Sequence, residues 1–106
     1  MRRGDIYWAD LGPPAGRRPV VVLTRDAAIP VLAAVVAAPV TRTIREIDSE
    51  MPLGPGDGLP EACVAACDNL VTIPKARFDD DPVGSVDGTR IPELDAALRF
   101  ALGIFF

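Results

Sequence analysis

The run Val20-Val21-Val22-Leu23-Thr24 constrains this chain more than any other feature. Side chains branched at Cβ lose rotamer freedom on a helix and pack well on a pleated surface, so the run reads as a buried strand. Proline and glycine then cut the flanking sequence into short pieces. Gly12-Pro13-Pro14-Ala15-Gly16 must be a loop, because its prolines cannot donate to a ladder and its glycines favour turns. Gly54-Pro55-Gly56-Asp57-Gly58 is turn chemistry for the same reasons.

Between those breaks further strands are expected. Ile6 to Leu11 is the first, with Tyr7 and Trp8 giving it aromatic strand character. Arg17-Arg18-Pro19 leads into the central run. Val31 to Thr41 is a second apolar stretch whose alanines suit a helix, but Val31, Val35, Val36, Val40 and the late Pro39 tilt it to strand. Arg42 to Met51 alternates polar and apolar residues, which predicts one buried and one wet face. Cys63 to Ile73 is another strand candidate. Pro74-Lys75-Ala76-Arg77-Phe78 follows as a short helical turn, Asp79-Asp80-Asp81-Pro82 as a solvated break and Val83 to Val86 as a short strand.

The last segment changes period. Ile91, Leu94, Leu98, Ala101, Leu102 and Phe105 recur at helical spacing, with Glu93 early and Arg99 late as the macrodipole prefers. A helix of about three turns is expected, capped by Asp87 or Thr89, with Pro92 in its first turn and Gly103 as its stop. Short strands with one terminal helix predict a mainly β fold, a small curved sheet or partly open barrel. At 106 residues, one domain over 1–106 is expected. The tail Gly103-Ile104-Phe105-Phe106 leaves apolar surface that dimerisation would bury.

Composition narrows the chemistry. The chain has no histidine, so imidazole acid/base catalysis, Ser/His and Cys/His nucleophiles and Cys/His zinc sites are excluded. The two cysteines, Cys63 and Cys67, read as small buried side chains in a reducing compartment, and no metal or cofactor is expected. The longest apolar stretch, Ile29 to Val40, is broken by proline and shorter than the roughly 20 residues of a spanning helix. With Asp5 and Asp10 interrupting the N-terminal region, no export signal is expected, and the cytoplasm is the expected location.

The net charge of −4 hides a division. Met1 to Arg45 carries seven arginines against three aspartates, whereas Glu46 to Phe106 carries four basic residues against twelve acidic ones. A locally positive cleft on an acidic protein is therefore open, since the field at a cleft follows its nearest charges. On charge alone, the same arginines read first as solvated strand ends.

Several stretches together carry a resemblance. Arg3-Gly4-Asp5-Ile6-Tyr7-Trp8-Ala9-Asp10-Leu11, Gly16-Arg17-Arg18-Pro19-Val20-Val21-Val22-Leu23, Val35 to Thr41, Cys67-Asp68-Asn69-Leu70-Val71-Thr72-Ile73 and Leu94-Asp95-Ala96-Ala97-Leu98-Arg99 resemble the MazF/PemK toxins of bacterial toxin–antitoxin systems. The order of an RGD-aromatic strand, a Gly-x-Arg-Pro strand start and an A-P-V-T strand end is specific, although each alone is weak. The resemblance implies an SH3-like, CcdB/MazF-like barrel with helix, a homodimer, and a metal-independent, sequence-specific endoribonuclease acting on single-stranded RNA. It also implies a MazE-type antitoxin whose acidic tail occupies the RNA groove.

Carried over residue by residue, the resemblance makes Arg18, directly before proline, and Thr41, at the end of A-P-V-T, the catalytic pair. It makes Asn69 a substrate contact, and Arg17 and Arg42 flank the pair as candidate phosphate holders. Two departures bear on the recognition sequence: the loop before Arg18 is short and lacks a Glu-Gln pair, and Val71 stands where an arginine is common. An arginine suits this chemistry, because attack of the RNA 2′-hydroxyl on phosphorus builds negative charge that a guanidinium meets with two parallel hydrogen bonds. Without the motif, Arg18 reads as a surface ion pair near Asp26 and Thr41 as a turn hydroxyl. Tyr7, Trp8 and Phe78 can stack bases but read first as core. The alternative functions are a CcdB-like gyrase-binding toxin with no nuclease site, and an inactive member that only titrates an antitoxin.

Overall fold

The aromatic and β-branched strands expected at the N-terminus pair as a hairpin: β1 (Asp5–Asp10) lies antiparallel to β2 (Arg17–Val22), with Ile6 opposite Val21 and Ala9 opposite Arg18. The computed structural model describes residues 1–105. The loop between the two strands closes through hydrogen bonds from Leu11 N to Gly16 O and from Gly16 N to Gly12 O. Both glycines have positive φ, 74° and 67°, which a residue with a Cβ adopts only under strain.

β3 (Ala34–Thr41) organises the rest. One edge pairs with β2, Val20 to Val22 opposite Pro39 to Ala37. The other edge is shared: its first half pairs with β6 (Val71–Pro74) and its end with β5 (Cys63–Ala66), which also pairs with β4 (Glu50–Leu53). β7 (Gly84–Ser85) pairs with β1, giving the order β4-β5-β3-β2-β1-β7. Because β3 changes partner along its length, the sheet curls into the mainly β half-barrel expected.

Both faces of the central strands are covered, which explains why Val20, Val21 and Val22 are all without exposure. On one face Ile6, Val21, Ala38, Val40, Met51 and Cys67 meet Leu94 and Ala97 of α1 (Ile91–Leu102). On the other, Ala9, Val20, Ala37 and Ile73 form a smaller cluster beside Tyr7, Val22, Ile29 and Val35. The helix has Pro92 in its first turn and stops at Gly103, which has a left-handed φ of 69°. Asp87 caps the short 3-10 turn before it, accepting from Thr89 N at 2.8 Å.

Three expectations need correction. The Cys63 to Ile73 stretch is two strands, because β5 and β6 meet β3 in registers three residues apart and the 3-10 turn Cys67–Asn69 absorbs the offset. Arg42 to Met51 is not an alternating strand; Arg42 to Asp48 is exposed irregular chain, with Glu46 at a φ of 57°, and pairing resumes only at Glu50. That segment has left the sheet, and Ile44 and Ile47 stay 47% and 42% exposed. The C-terminal end leaves apolar surface open, as expected of the tail: Phe105 is 87% exposed, and Leu102, at the end of the stripe, 58%. Strand β3 begins at Ala34 rather than Val31, and Phe106, part of the expected dimerising tail, lies outside the described residues.

Candidate functional site

Proline positions the groove. The β2–β3 ladder ends at the Val20–Pro39 pair, and neither Pro19 nor Pro39 has an N–H to extend it. Past that point the strands are free to part, and a concave groove of about 540 Å³ opens between the start of β2 and the end of β3. Its lining includes Trp8, Arg17, Arg18, Thr41, Arg42 and Glu61.

Strand periodicity sorts these side chains. Continuing the β2–β3 register by two residues sets Arg18 across from Thr41, on the face of Ala9, Val20 and Ala37. One residue further, Arg17 faces Arg42 on the opposite side. Arg18, opposite the small Ala9, is half-buried, and its Nε is buried without a hydrogen-bond partner. The expected alternative partner Asp26 instead accepts from Arg3 N at 2.7 Å. Thr41 Oγ1 accepts from Thr43 N at 3.1 Å, so it does serve as a turn hydroxyl, with its own proton still available to donate.

The flanking arginines are paired. Arg17 makes two parallel hydrogen bonds to Asp79, at 3.0 and 2.9 Å, and its guanidinium lies 5.8 Å from the Trp8 ring centre. Trp8 sits diagonally across the β1–β2 ladder from Arg17, within reach of a long side chain. Trp8 is 37% exposed in the groove wall, unlike the buried Tyr7, which packs edge to face with the partly buried Phe78. Arg42 donates to Glu61 at 2.6 Å. The hydrogen bond to Arg17 holds the Asp79 carboxyl below its usual range, and the bonds to Asp79 and Glu61 push both arginines up.

Four of the five expected site residues therefore meet in one groove. Asn69 does not: it is exposed at the end of the 3-10 turn between β5 and β6, outside the groove lining. Glu61 was not anticipated, because Leu59-Pro60-Glu61 carries no local signal. Only the β3–β5 register, Thr41 opposite Val64, brings the residues before β5 alongside those after β3. Among the described residues no group of three acidic or cysteine side chains is arranged to hold a metal ion.

A family model described as the PemK-like, MazF-like toxin of type II toxin–antitoxin systems matches residues 2–102. The chain belongs to this family. A relative from Mycobacterium tuberculosis named probable endoribonuclease MazF5 is 44% identical over 101 residues, covering 94% of this chain and 91% of the relative. Among solved structures, the Mycobacterium tuberculosis toxin MazF-mt6 superposes with a TM-score of 0.88 at 32% identity, covering 96% of this chain and 99% of that one. A mycobacterial endoribonuclease solved in complex with its cognate antitoxin gives 0.87 at 32% identity, covering 100% and 98%. The half-barrel with a C-terminal helix is thus the fold of MazF-like toxins, and the Gly-x-Arg-Pro and A-P-V-T motifs of this PemK/MazF chain converge on its groove.

Proposed function

We propose that this chain is the toxin of a toxin–antitoxin pair and a metal-independent endoribonuclease that cuts single-stranded RNA within the Arg18/Thr41 groove. The observation that carries the reading is Arg18: a half-buried guanidinium with an unpartnered Nε, lining with Thr41 a groove open to a chain ligand. A guanidinium on the groove wall with no carboxylate partner among the described residues offers its terminal N–H groups to an anionic phosphoryl group. Relatives named as endoribonucleases support the reaction class.

In the proposed reaction the 2′-hydroxyl oxygen attacks the adjacent phosphorus as the bond to the 5′ oxygen breaks. The 2′ proton is lost, the leaving 5′ oxygen gains one, and the ends are a 2′,3′-cyclic phosphate and a 5′-hydroxyl. Arg18 stabilises the charge that builds on the non-bridging oxygens. Thr41 donates to the same phosphate or orients the attacking hydroxyl. Arg17 and Arg42 serve the flanking phosphates, and Asn69, outside the groove, contacts a base further along the strand.

The same reading includes a homodimer, supported by the exposed Phe100, Leu102 and Phe105, and a MazE-type antitoxin, supported by the mycobacterial endoribonuclease–antitoxin complex. It places the protein in the cytoplasm with residues 1–106 acting as one unit; no described helix is long and apolar enough to cross a membrane.

The test is incubation of the purified protein with a long single-stranded RNA in EDTA, with fragment ends mapped. Cuts at a repeated short sequence carrying cyclic phosphate ends are expected. Intact RNA from folded, antitoxin-free protein across several unrelated transcripts would overturn the nuclease and leave gyrase binding or an inactive toxin.

A further inference from the structure

The three arginines of the groove are not equivalent. Arg17 and Arg42 would face each other across the opened end of the β2–β3 ladder, two like charges in a position that repels. Each is instead turned to a carboxylate of its own. Asp79 meets Arg17 through two parallel hydrogen bonds, the geometry a guanidinium also uses for a phosphate, and Glu61 meets Arg42 at 2.6 Å inside the groove. Arg18 alone of the three makes no ion pair among the described residues.

We infer that Asp79 and Glu61 are internal competitors for phosphate: they occupy Arg17 and Arg42 until RNA displaces them, leaving Arg18 as the one uncontested cation of the groove. The inference rests on the RNA-cleaving reading and sharpens it. A phosphate that takes Arg42 must release Glu61, which then gathers a solution cation, so the exchange yields little net counterion release. Backbone charge therefore contributes little beyond Arg18, and discrimination falls to base contacts. An RNA bound loosely and out of register meets a groove already neutralised at both flanks, whereas one whose bases fit draws its scissile phosphate to Arg18.

The experiment measures binding of a fully 2′-O-methylated copy of a cleaved RNA, which cannot undergo the reaction, by fluorescence anisotropy across a salt series. For single strands each phosphate contact that releases counterions adds about −0.7 to the slope of log affinity against log salt. Glu61→Gln and Asp79→Asn should each steepen the slope by about 0.7, and the double variant by about 1.4. Affinity at low salt should rise about three-fold or more per substitution, the scale of an exposed ion pair. In an Arg42→Ala background, Glu61→Gln should lose that effect.

Two controls decide between competition and net charge. Asp80→Asn removes the same charge beside Asp79 without freeing an arginine, and should leave the slope unchanged. An unchanged slope in Glu61→Gln and Asp79→Asn overturns the inference, as does an equal gain from Asp80→Asn, or an equal gain from Glu61→Gln with and without Arg42. Failure of the two readings is separable: the unmethylated RNA cut normally with unaltered slopes removes only the competition. No cutting of that RNA by the wild-type protein removes both.

Discussion

Replacing Arg18 with methionine should move stability and activity in opposite directions. The side chain is half-buried and its Nε lies out of solvent without an acceptor, so the folded protein carries an unsatisfied donor there. An orphan of this kind costs about 1–3 kcal/mol, and methionine keeps most of the aliphatic length while removing it. Arg18→Met should therefore unfold in urea at the wild-type midpoint or later. Cleavage should fall by about 10² or more, or about 2.7 kcal/mol of transition-state stabilisation, the scale of losing one preorganised donor at a developing oxyanion. Arg18→Lys retains the charge and loses the planar pair of donors, so it should recover only part of the rate. The assays are urea unfolding followed by circular dichroism and initial cleavage rates in EDTA on one RNA. A methionine variant at least 1 kcal/mol less stable, yet cutting within about ten-fold of wild type, would refute the reasoning and make Arg18 a structural residue.

Three other expectations concern the scaffold. Leu94 is fully buried between α1 and the sheet, so Leu94→Ala should cost about 2–5 kcal/mol in urea unfolding; a loss under 1 kcal/mol would mean the helix is not seated as described. A Cβ on Gly84 would overlap the Asp57 carbonyl oxygen, where β7 crosses the turn after β4, so Gly84→Ala should destabilise by about 1–3 kcal/mol, whereas Gly56→Ala, in open space, should not. Burial pushes the Cys67 thiol up to about 11 from an ordinary 9.0, so the folded state holds its proton longer than the unfolded chain. That contribution is complete below about pH 9 and is lost as pH rises towards about 11; Cys67→Ala should flatten the decline in thermal unfolding midpoint over this window. An identical decline in the variant would assign it to other groups.

The elements legible in sequence are those whose signal is local. Branched side chains at Val20 to Val22, glycines flanking Pro13-Pro14, Pro92 ahead of an amphipathic run and Gly103 behind it each restrict their own backbone, and the structure places strand, loop and helix there. The segments read less well are those whose conformation depends on a distant partner. Arg42 to Asp48 has the alternation of a strand but leaves the sheet, and its apolar side chains are only partly covered. Cys63 to Ile73 has continuous strand character, yet β3 accepts its two halves in different registers.

The candidate site divides along the same line. The residue types and order around Arg18 and Thr41 are present in the sequence, and so is the absence of histidine that limits the available chemistry. That Arg18 and Thr41 line one groove is a property of the antiparallel pairing between strands separated by more than ten residues. Trp8 lines a groove rather than a core because the strands part beside it. The pairing of Arg17 with Asp79 and Arg42 with Glu61 joins residues 62 and 19 positions apart. Sequence determines local backbone preference and the inventory of functional groups. Which groups share a groove, and which arginine is left without a carboxylate, is decided only when the sheet curls and sets its registers, because charge and hydrogen bonding act over a few ångströms of space rather than along the chain.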